Sequence, residues 1–156
     1  MTVTELAVVP EPTSPIAALR GVVATSRVGI ELDEQIRFND WRDVLDAALA
    51  LGDASQWVIA DCVAFGMKKL RPAKEGGDPS WSMYSTMIEE RYSRQSLYDL
   101  GYVARAVEVS RRREILSFTH HREVASLTPD EQRAWLDDAI SHNWSTRELR
   151  DEIARF

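Results

Sequence analysis

The stretch of sequence that decides the fold is YSRQSLYDLGYVARAV, residues 92–107. Its apolar residues recur at intervals of three and four positions, which is the period of one buried face of an α-helix. These residues are Leu97, Leu100, Ala104 and Val107. Ser93 precedes them and belongs to a residue type that favours helix N-caps. The stretch therefore predicts a helix over residues 93–106 with one face in the core.

Another helical pattern begins at Trp81, before this one. The turn ERYS, residues 90–93, lies between the two. Two helices joined by so short a turn fit helix-turn-helix geometry, in which the second helix enters the major groove of DNA. Its first turns present Ser93 to a phosphate, Arg94 to guanine, Gln95 to adenine and Tyr98 to a base or phosphate. An αα corner in a purely structural bundle would give the same pattern.

Charge along the chain supports the nucleic-acid interpretation. The whole protein carries a formal charge of −6, yet residues 91–122 contain seven arginines against three acidic residues, a formal charge of +4. A segregated positive surface attracts polyanions and orients their approach. The residues expected to add to this surface, mostly at phosphates, are Arg105, Arg111, Arg112, His120, His121 and Arg122. The competing interpretation of the arginine run is a solvated helix face.

The first half of the chain predicts a helical hairpin. Asn39 is the expected cap of a helix that ends at Gly52, and a second helix begins at Asp53 or Ser55 and continues through Lys68. Residues 71–80, RPAKEGGDPS, contain two prolines and two glycines and predict a loop at the best boundary between subdomains. Residues 21–32 are β-branched and partly alternating, so a strand, edge hairpin or arm is expected there.

The last third of the chain contains several helix-start signals. Thr119 is the expected cap of a short helix, Thr128 with Pro129 and Glu131 begins another, and Ser145 with Glu148 begins the last. Together with the helical patterns described above, these signals predict about seven helices, so the predicted class is all-α. The expected organisation is a disordered tail at 1–15, an arm and helical hairpin at 16–70 for dimerisation, the loop at 71–80, and a DNA-binding region with a small carboxy-terminal helical unit at 81–156.

Other functional classes find little support in the composition. The single cysteine, Cys62, excludes an internal disulfide and a cysteine cluster for a metal. Adjacent His120 and His121 lie on different helix faces, so neither a zinc site nor a cofactor is expected. No catalytic signature is recognisable, and neither a signal peptide nor an apolar run of about 20 residues is present. A non-enzymatic cytoplasmic protein is expected.

Residues 92–153 resemble the helix-turn-helix module of the ParB and KorB partition proteins. The matching elements are THHR at 119–122, PDEQ at 129–132 and STREL at 145–149, which follow the recognition helix. With FNDW at 38–41 and LGD at 51–53, the arrangement is more similar to the LmbU-type transcriptional regulators of antibiotic gene clusters. Two features depart from the partition proteins: the arginine-rich CTP-binding box is not visible in residues 1–80, and His120 stands where they have a glycine.

The resemblance implies sequence-specific binding of duplex DNA at promoters of a secondary-metabolite cluster. A homodimer on palindromic sites is expected, because one recognition helix reads only a few base pairs. RNA polymerase is a further candidate partner, and a membrane is not. The alternatives are a plasmid partition-type DNA-binding protein and a protein-interaction adaptor without enzymatic activity.

Overall fold

A computed structural model describes residues 16–51, 56–69 and 92–156 of the chain. Six α-helices lie in these ranges: α1 Phe38–Leu51, α2 Gln56–Lys69, α3 Arg94–Ala106, α4 Phe118–Val124, α5 Pro129–Ser141 and α6 Thr146–Arg155. A 3₁₀ turn, Val109–Arg111, follows α3. None of the helices described is long and apolar enough to cross a membrane. The predicted tail at 1–15, the loop at 71–80 and the helix from Trp81 lie outside the described residues.

The class is mostly helical rather than all-α, because two strands form in the segment where a hairpin was one of the alternatives. Strand β1, Val22–Ser26, pairs antiparallel with β2, Gly29–Leu32. Thr25 lies opposite Ile30, and a register shift between Val22 and Ala24 marks a bulge. Strand β1 is largely exposed, whereas Ile30 and Leu32 of β2 are buried against the helices. A single hairpin is marginally stable in water, so this packing is what holds it.

Helices α1 and α2 form the first layer of the core. The apolar stripe of α1 is buried as its spacing predicts, through Trp41, Val44, Leu45 and Ala48. The helix already begins at Phe38, so the prediction that Asn39 caps it is wrong. Within the core, the indole N–H of Trp41 donates a hydrogen bond of 3.0 Å to the carbonyl of Cys62 in α2. This bond satisfies a polar atom that would be costly to bury unpaired.

Helix α2 is central because it packs against α1, β2 and α3. Val63 lies in a cluster with α1, the hairpin and Leu97 of α3, while Trp57 and Ala60 lie in a second cluster with Val103 and Val107. A helix with apolar residues facing several partners is buried on more than one side. The proposed division of the chain at residues 71–80 stays a prediction.

The carboxy-terminal helices begin where their caps predict, with one exception. Thr128 with Glu131 and Ser145 with Glu148 form reciprocal capping boxes at α5 and α6. Helix α4 is capped by Ser117, whose Oγ accepts from the amide of His120, so the prediction of Thr119 as the cap is wrong. Asn143 follows α5 and adopts the left-handed conformation, with φ of 52°, which asparagine tolerates better than most residue types at a helix end.

A buried glutamine joins this unit to the end of α3. Gln132 of α5 is 1% exposed, and its Nε2 donates to the carbonyls of Ala106, Ala125 and Leu127 at 3.1 to 3.3 Å. Its Oε1 accepts a 2.8 Å hydrogen bond from Nε of Arg111. The two N–H groups of one side chain are thus shared among three carbonyls, at the end of α3, at the end of α4 and in the loop after α4, where helical partners are lacking.

Replacing this glutamine tests its role. Gln132→Leu removes the hydrogen bonds to the carbonyls of Ala125 and Leu127 and to Nε of Arg111, so the free energy of unfolding should fall by about 2–4 kcal/mol. Gln35→Leu, at an exposed position, should change it by less than about 0.5 kcal/mol. Urea denaturation followed by circular dichroism measures both. Equal effects at the two positions would contradict the structural role of Gln132.

Candidate nucleic-acid interface

Helix α3 has the predicted cap and the predicted inward face. The Oγ of Ser93 accepts a 3.1 Å hydrogen bond from the amide of Ser96. Leu97, Ala104 and Val107 are buried, and Leu100 packs against the same core. The helix predicted before α3 falls on residues outside the described ranges, and the side chain of Arg94 is not described either. The helix-turn-helix arrangement and the role of Arg94 in reading guanine therefore stay predictions.

The outward face of α3 carries a continuous polar and aromatic stripe. Four exposed residues recur at intervals of three and four positions, so they lie on one side of the helix. We call them the α3 stripe: Gln95, Tyr98, Tyr102 and Arg105. Both tyrosines are 46% exposed. With a rise of 1.5 Å per residue the stripe is about 15 Å long, which suits a helix lying in a major groove.

Tyr102 is a member of the stripe that the sequence analysis did not identify. The predicted base contacts were limited to the first turns of the helix, where such contacts concentrate. The signal was available, since Tyr102 lies four residues after Tyr98 and three before Arg105. An exposed tyrosine offers both a flat ring and a hydroxyl group, and either can contact nucleic acid.

Gln95 and Arg122, two of the residues predicted to contact DNA, both bind the carboxylate of Asp99. Nε2 of Gln95 donates to Oδ1 of Asp99 at 3.0 Å, and Nη2 of Arg122 donates to Oδ2 of Asp99 at 2.9 Å. All three groups are partly or well exposed. Asp99 therefore orients Gln95 within the stripe and holds Arg122 beside it. It also neutralises part of the charge that Arg122 was expected to offer.

Arg112 is not on the surface. Its side chain is 1% exposed and binds the carboxylate of Asp61 in α2 through two hydrogen bonds of 2.7 and 2.8 Å. The same guanidinium donates to the carbonyls of Val28, Ala104 and Val107 and lies 3.9 Å from the ring centroid of Trp57. All of its donor groups are used inside the protein. The prediction of a phosphate contact by Arg112 is replaced by a structural role.

The space for this ion pair depends on Gly29 in β2. A Cβ atom at that position would lie 2.5 Å from Oδ2 of Asp61 and 2.6 Å from Nη1 of Arg112. The amide of the next residue, Ile30, donates to Oδ2 of Asp61 at 3.0 Å. Because both side chains are held by several hydrogen bonds, neither can move away cheaply. Glycine is therefore required by close approach.

Arg111 is also buried, at 7% exposure. Its guanidinium donates to Gln132, to the carbonyl of Ala106 and to the carboxylate of Glu108. The expected phosphate contact by Arg111 is therefore corrected in the same way. The adjacent Arg113 is partly exposed and pairs with Asp137 at 3.0 Å.

The ring nitrogens of the two adjacent histidines form hydrogen bonds within the protein. Nδ1 of His120 lies 2.7 Å from Oγ of Ser117, and its Nε2 lies 2.9 Å from the carbonyl of Trp144. His121 is fully buried, accepts the amide of Arg113 at Nε2, and approaches the carbonyl of Ser117 through Nδ1. His121 thus offers no surface for DNA, and the predicted contact is withdrawn. Burial lowers the pKa of His121 to about 4.

The charge segregation along the sequence is largely cancelled in three dimensions. Of the five described arginines in the basic segment, four pair with carboxylates: Arg111, Arg112, Arg113 and Arg122. Arg105 forms no ion pair with a described carboxylate, although its Nε bonds the carbonyl of Gly101 at 3.3 Å. The candidate interface therefore rests on the α3 stripe and Arg122 rather than on a broad basic face.

Other kinds of site find no support in the part of the chain that the structure describes. That part holds no group of three or more histidine, cysteine or acidic side chains able to bind a metal ion. Cys62 is completely buried, and burial raises its pKa far above the usual range, so its thiol is not a nucleophile.

Comparison with known proteins finds a regulator. This chain is 36% identical over 131 residues to a curated protein of Streptomyces niveus called transcriptional regulator NovE. The alignment covers 84% of this chain and 56% of that relative, so the chain spans about half the length of the protein it matches. No family model matches the chain, and no solved structure matches it. The similarity relates the chain to a transcriptional regulator.

Removing the acid of the buried ion pair should be costly. Asp61→Ala leaves the guanidinium of Arg112 buried and unpaired, so the free energy of unfolding should fall by about 3–5 kcal/mol. Asp130→Ala removes the partner of Arg133 at an exposed pair and should cost less than about 1 kcal/mol. Chemical denaturation of the two variants beside the parent protein measures the difference. Similar losses in both would show that Arg112 does not depend on Asp61.

His121 should make stability depend on pH. Because its pKa is about 4 in the folded protein and about 6.5 when unfolded, protons bind the unfolded chain preferentially between these values. The contribution of His121 to the free energy of unfolding should therefore be constant above about pH 6.5. It should fall by about 3 kcal/mol as the pH drops to 4.

Comparing variants separates the contribution of His121 to the pH dependence of stability from the contribution of the carboxylates. His121→Gln should be less stable than the parent at pH 7, and the gap should narrow as the pH falls to 4. His142→Gln replaces an exposed histidine and serves as the matched control for the substitution itself. A constant gap between the parent and His121→Gln from pH 7 to 4 would contradict the assignment.

Proposed function

We propose that this protein is a sequence-specific DNA-binding transcriptional regulator that inserts helix α3 into the major groove of promoter DNA. The observation that carries the proposal is the α3 stripe, an exposed row of hydrogen-bonding and aromatic side chains on a helix whose opposite face is locked in the core. Such a helix presents its side chains in a fixed geometry, as base reading requires. Similarity to a transcriptional regulator favours the same conclusion.

The finer assignments follow from the side chains that remain accessible. Gln95 and Tyr98, in the first turns, are assigned to base edges, together with Arg94. Ser93 and the amide groups at the start of α3 are assigned to a phosphate. Arg105, Arg122 and Tyr102 are assigned to the backbone of the duplex. His120 has both ring nitrogens engaged within the protein, so it supports the loop before α4 instead.

The regulated genes and the assembly are part of the proposal. The resemblance to LmbU-type regulators supports an antibiotic gene cluster as the target. A homodimer on palindromic promoter sites, with the 16–70 region as the dimerisation surface, would double the number of bases read. RNA polymerase is the partner through which such a protein would act on transcription. A partition-type function or an adaptor without DNA binding is the alternative.

Selection of binding sites from a random DNA pool tests the assignment of the stripe. Gln95→Ala and Tyr98→Ala should each cost about 1–3 kcal/mol at the selected site and flatten the preference at one position per half-site. Arg105→Ala should weaken all sequences alike and reduce the salt slope by about one contact per monomer.

The surface arginine Arg147 of α6 provides the matched control, because it is exposed and lies outside the stripe. Arg147→Ala should leave affinity and sequence preference unchanged. An unchanged logo with both Gln95→Ala and Tyr98→Ala, in folded protein, would mean that α3 does not read bases. No binding to any duplex would favour the adaptor.

A further inference from the structure

A groove of about 390 Å³ lies beside the buried ion pair and is not used by the proposed DNA contacts, apart from one shared residue. It is formed by β2, α2, the end of α3 and the 3₁₀ turn. Its apolar surface includes Ile30, Phe65 and Val109, of which Val109 is 51% exposed. This volume falls in the range of small-molecule sites, which combine apolar walls with a few polar groups.

Two cations in this groove have no carboxylate partner among the described residues. Lys68 and Arg105 both line it and are exposed, and neither forms an ion pair with a described carboxylate. In contrast, the lining acids Asp61 and Glu108 are bound to Arg112 and Arg111. The groove therefore offers apolar surface together with unneutralised positive charge.

We propose that this groove binds a small aromatic monoanion, whose acidic group pairs with Lys68 and Arg105 while its ring packs against Phe65 and Val109. A monoanion suits the charges better than a nucleic-acid backbone does. A single acidic group can contact both cations while its ring lies on the apolar wall. An extended row of phosphates would also pass Glu108, whose carboxylate is 72% exposed although it pairs with Arg111.

Arg105 gives the groove a connection to the α3 stripe. This consequence rests on the proposed DNA-binding function, in which Arg105 contacts the duplex backbone. A ligand that pairs with Arg105 removes that charge from the DNA, so ligand and DNA oppose each other. Thermodynamic linkage requires the effect to be reciprocal. The groove is thus the effector site of the regulator.

Two fluorescent probes that differ in one group test the proposal. 8-Anilinonaphthalene-1-sulfonate is an aromatic monoanion, and N-phenyl-1-naphthylamine is the same molecule without the sulfonate. The protein should bind the anionic probe saturably at one site per chain. Lys68→Gln with Arg105→Gln should weaken that binding by about tenfold while leaving the neutral probe nearly unaffected. Val109→Glu should weaken both probes.

Arg147→Gln, which removes an exposed cation from a different helix, should leave both affinities unchanged. Circular dichroism confirms folding of each variant, and amide chemical shifts of Ile30, Ala104 and Val109 locate the bound probe. Three results would overturn the proposal: no saturable binding, an unchanged affinity of the double variant for the anionic probe, or an equal loss of the neutral one.

Competition between the anionic probe and selected duplex DNA tests the link to regulation. Saturating probe should lower the affinity for DNA, and Arg147→Gln should respond as the parent does. If the protein binds no DNA but the probe results hold, the proposed function fails and the groove remains a ligand site. If DNA binds and the probe does not compete, the role of the groove as an effector site is overturned.

Discussion

The ion pair between Arg112 and Asp61 is the interaction on which the remaining structure depends. The guanidinium of Arg112, which follows the 3₁₀ turn, joins the hairpin, α2 and the end of α3 through five hydrogen bonds to groups from these three segments. Burying a charge is costly unless its partners are complete, and here both the charge and the donors are satisfied. The geometry that results fixes α3 with the stripe outward and the groove open beside it.

Local sequence signals predicted the helices well because those signals act over short distances. The capping boxes at Thr128 and Ser145 and the cap at Ser93 each involve residues three positions apart, and each forms as expected. The predicted caps at Asn39 and Thr119 were wrong. Helix α1 already begins at Phe38, and Ser117 rather than Thr119 caps α4. The left-handed Asn143 followed from its residue type.

The candidate site was harder to predict because charge counted along a sequence says nothing about partners from elsewhere. Arg112 pairs with an acid 51 residues away, and Arg113 with one 24 residues away. The periodicity of a helix can indicate which residues face outward, and Gln95, Tyr98 and Arg105 do so. It cannot indicate that Asp61 lies where Arg112 arrives, which is a property of the tertiary packing.

The sequence separation of the central contacts has a consequence for the order of folding. Arg112 bonds the carbonyl of Val28 across 84 residues, and strand β1 has little apolar burial of its own. Closing so long a loop costs entropy before any contact compensates for it. The hairpin can pack Ile30 and Leu32 on α1 and α2 once those helices have formed, but its bond to Arg112 requires that residue 112 has also been made. The contact that ties the hairpin to the end of α3 is therefore expected to be among the last to form.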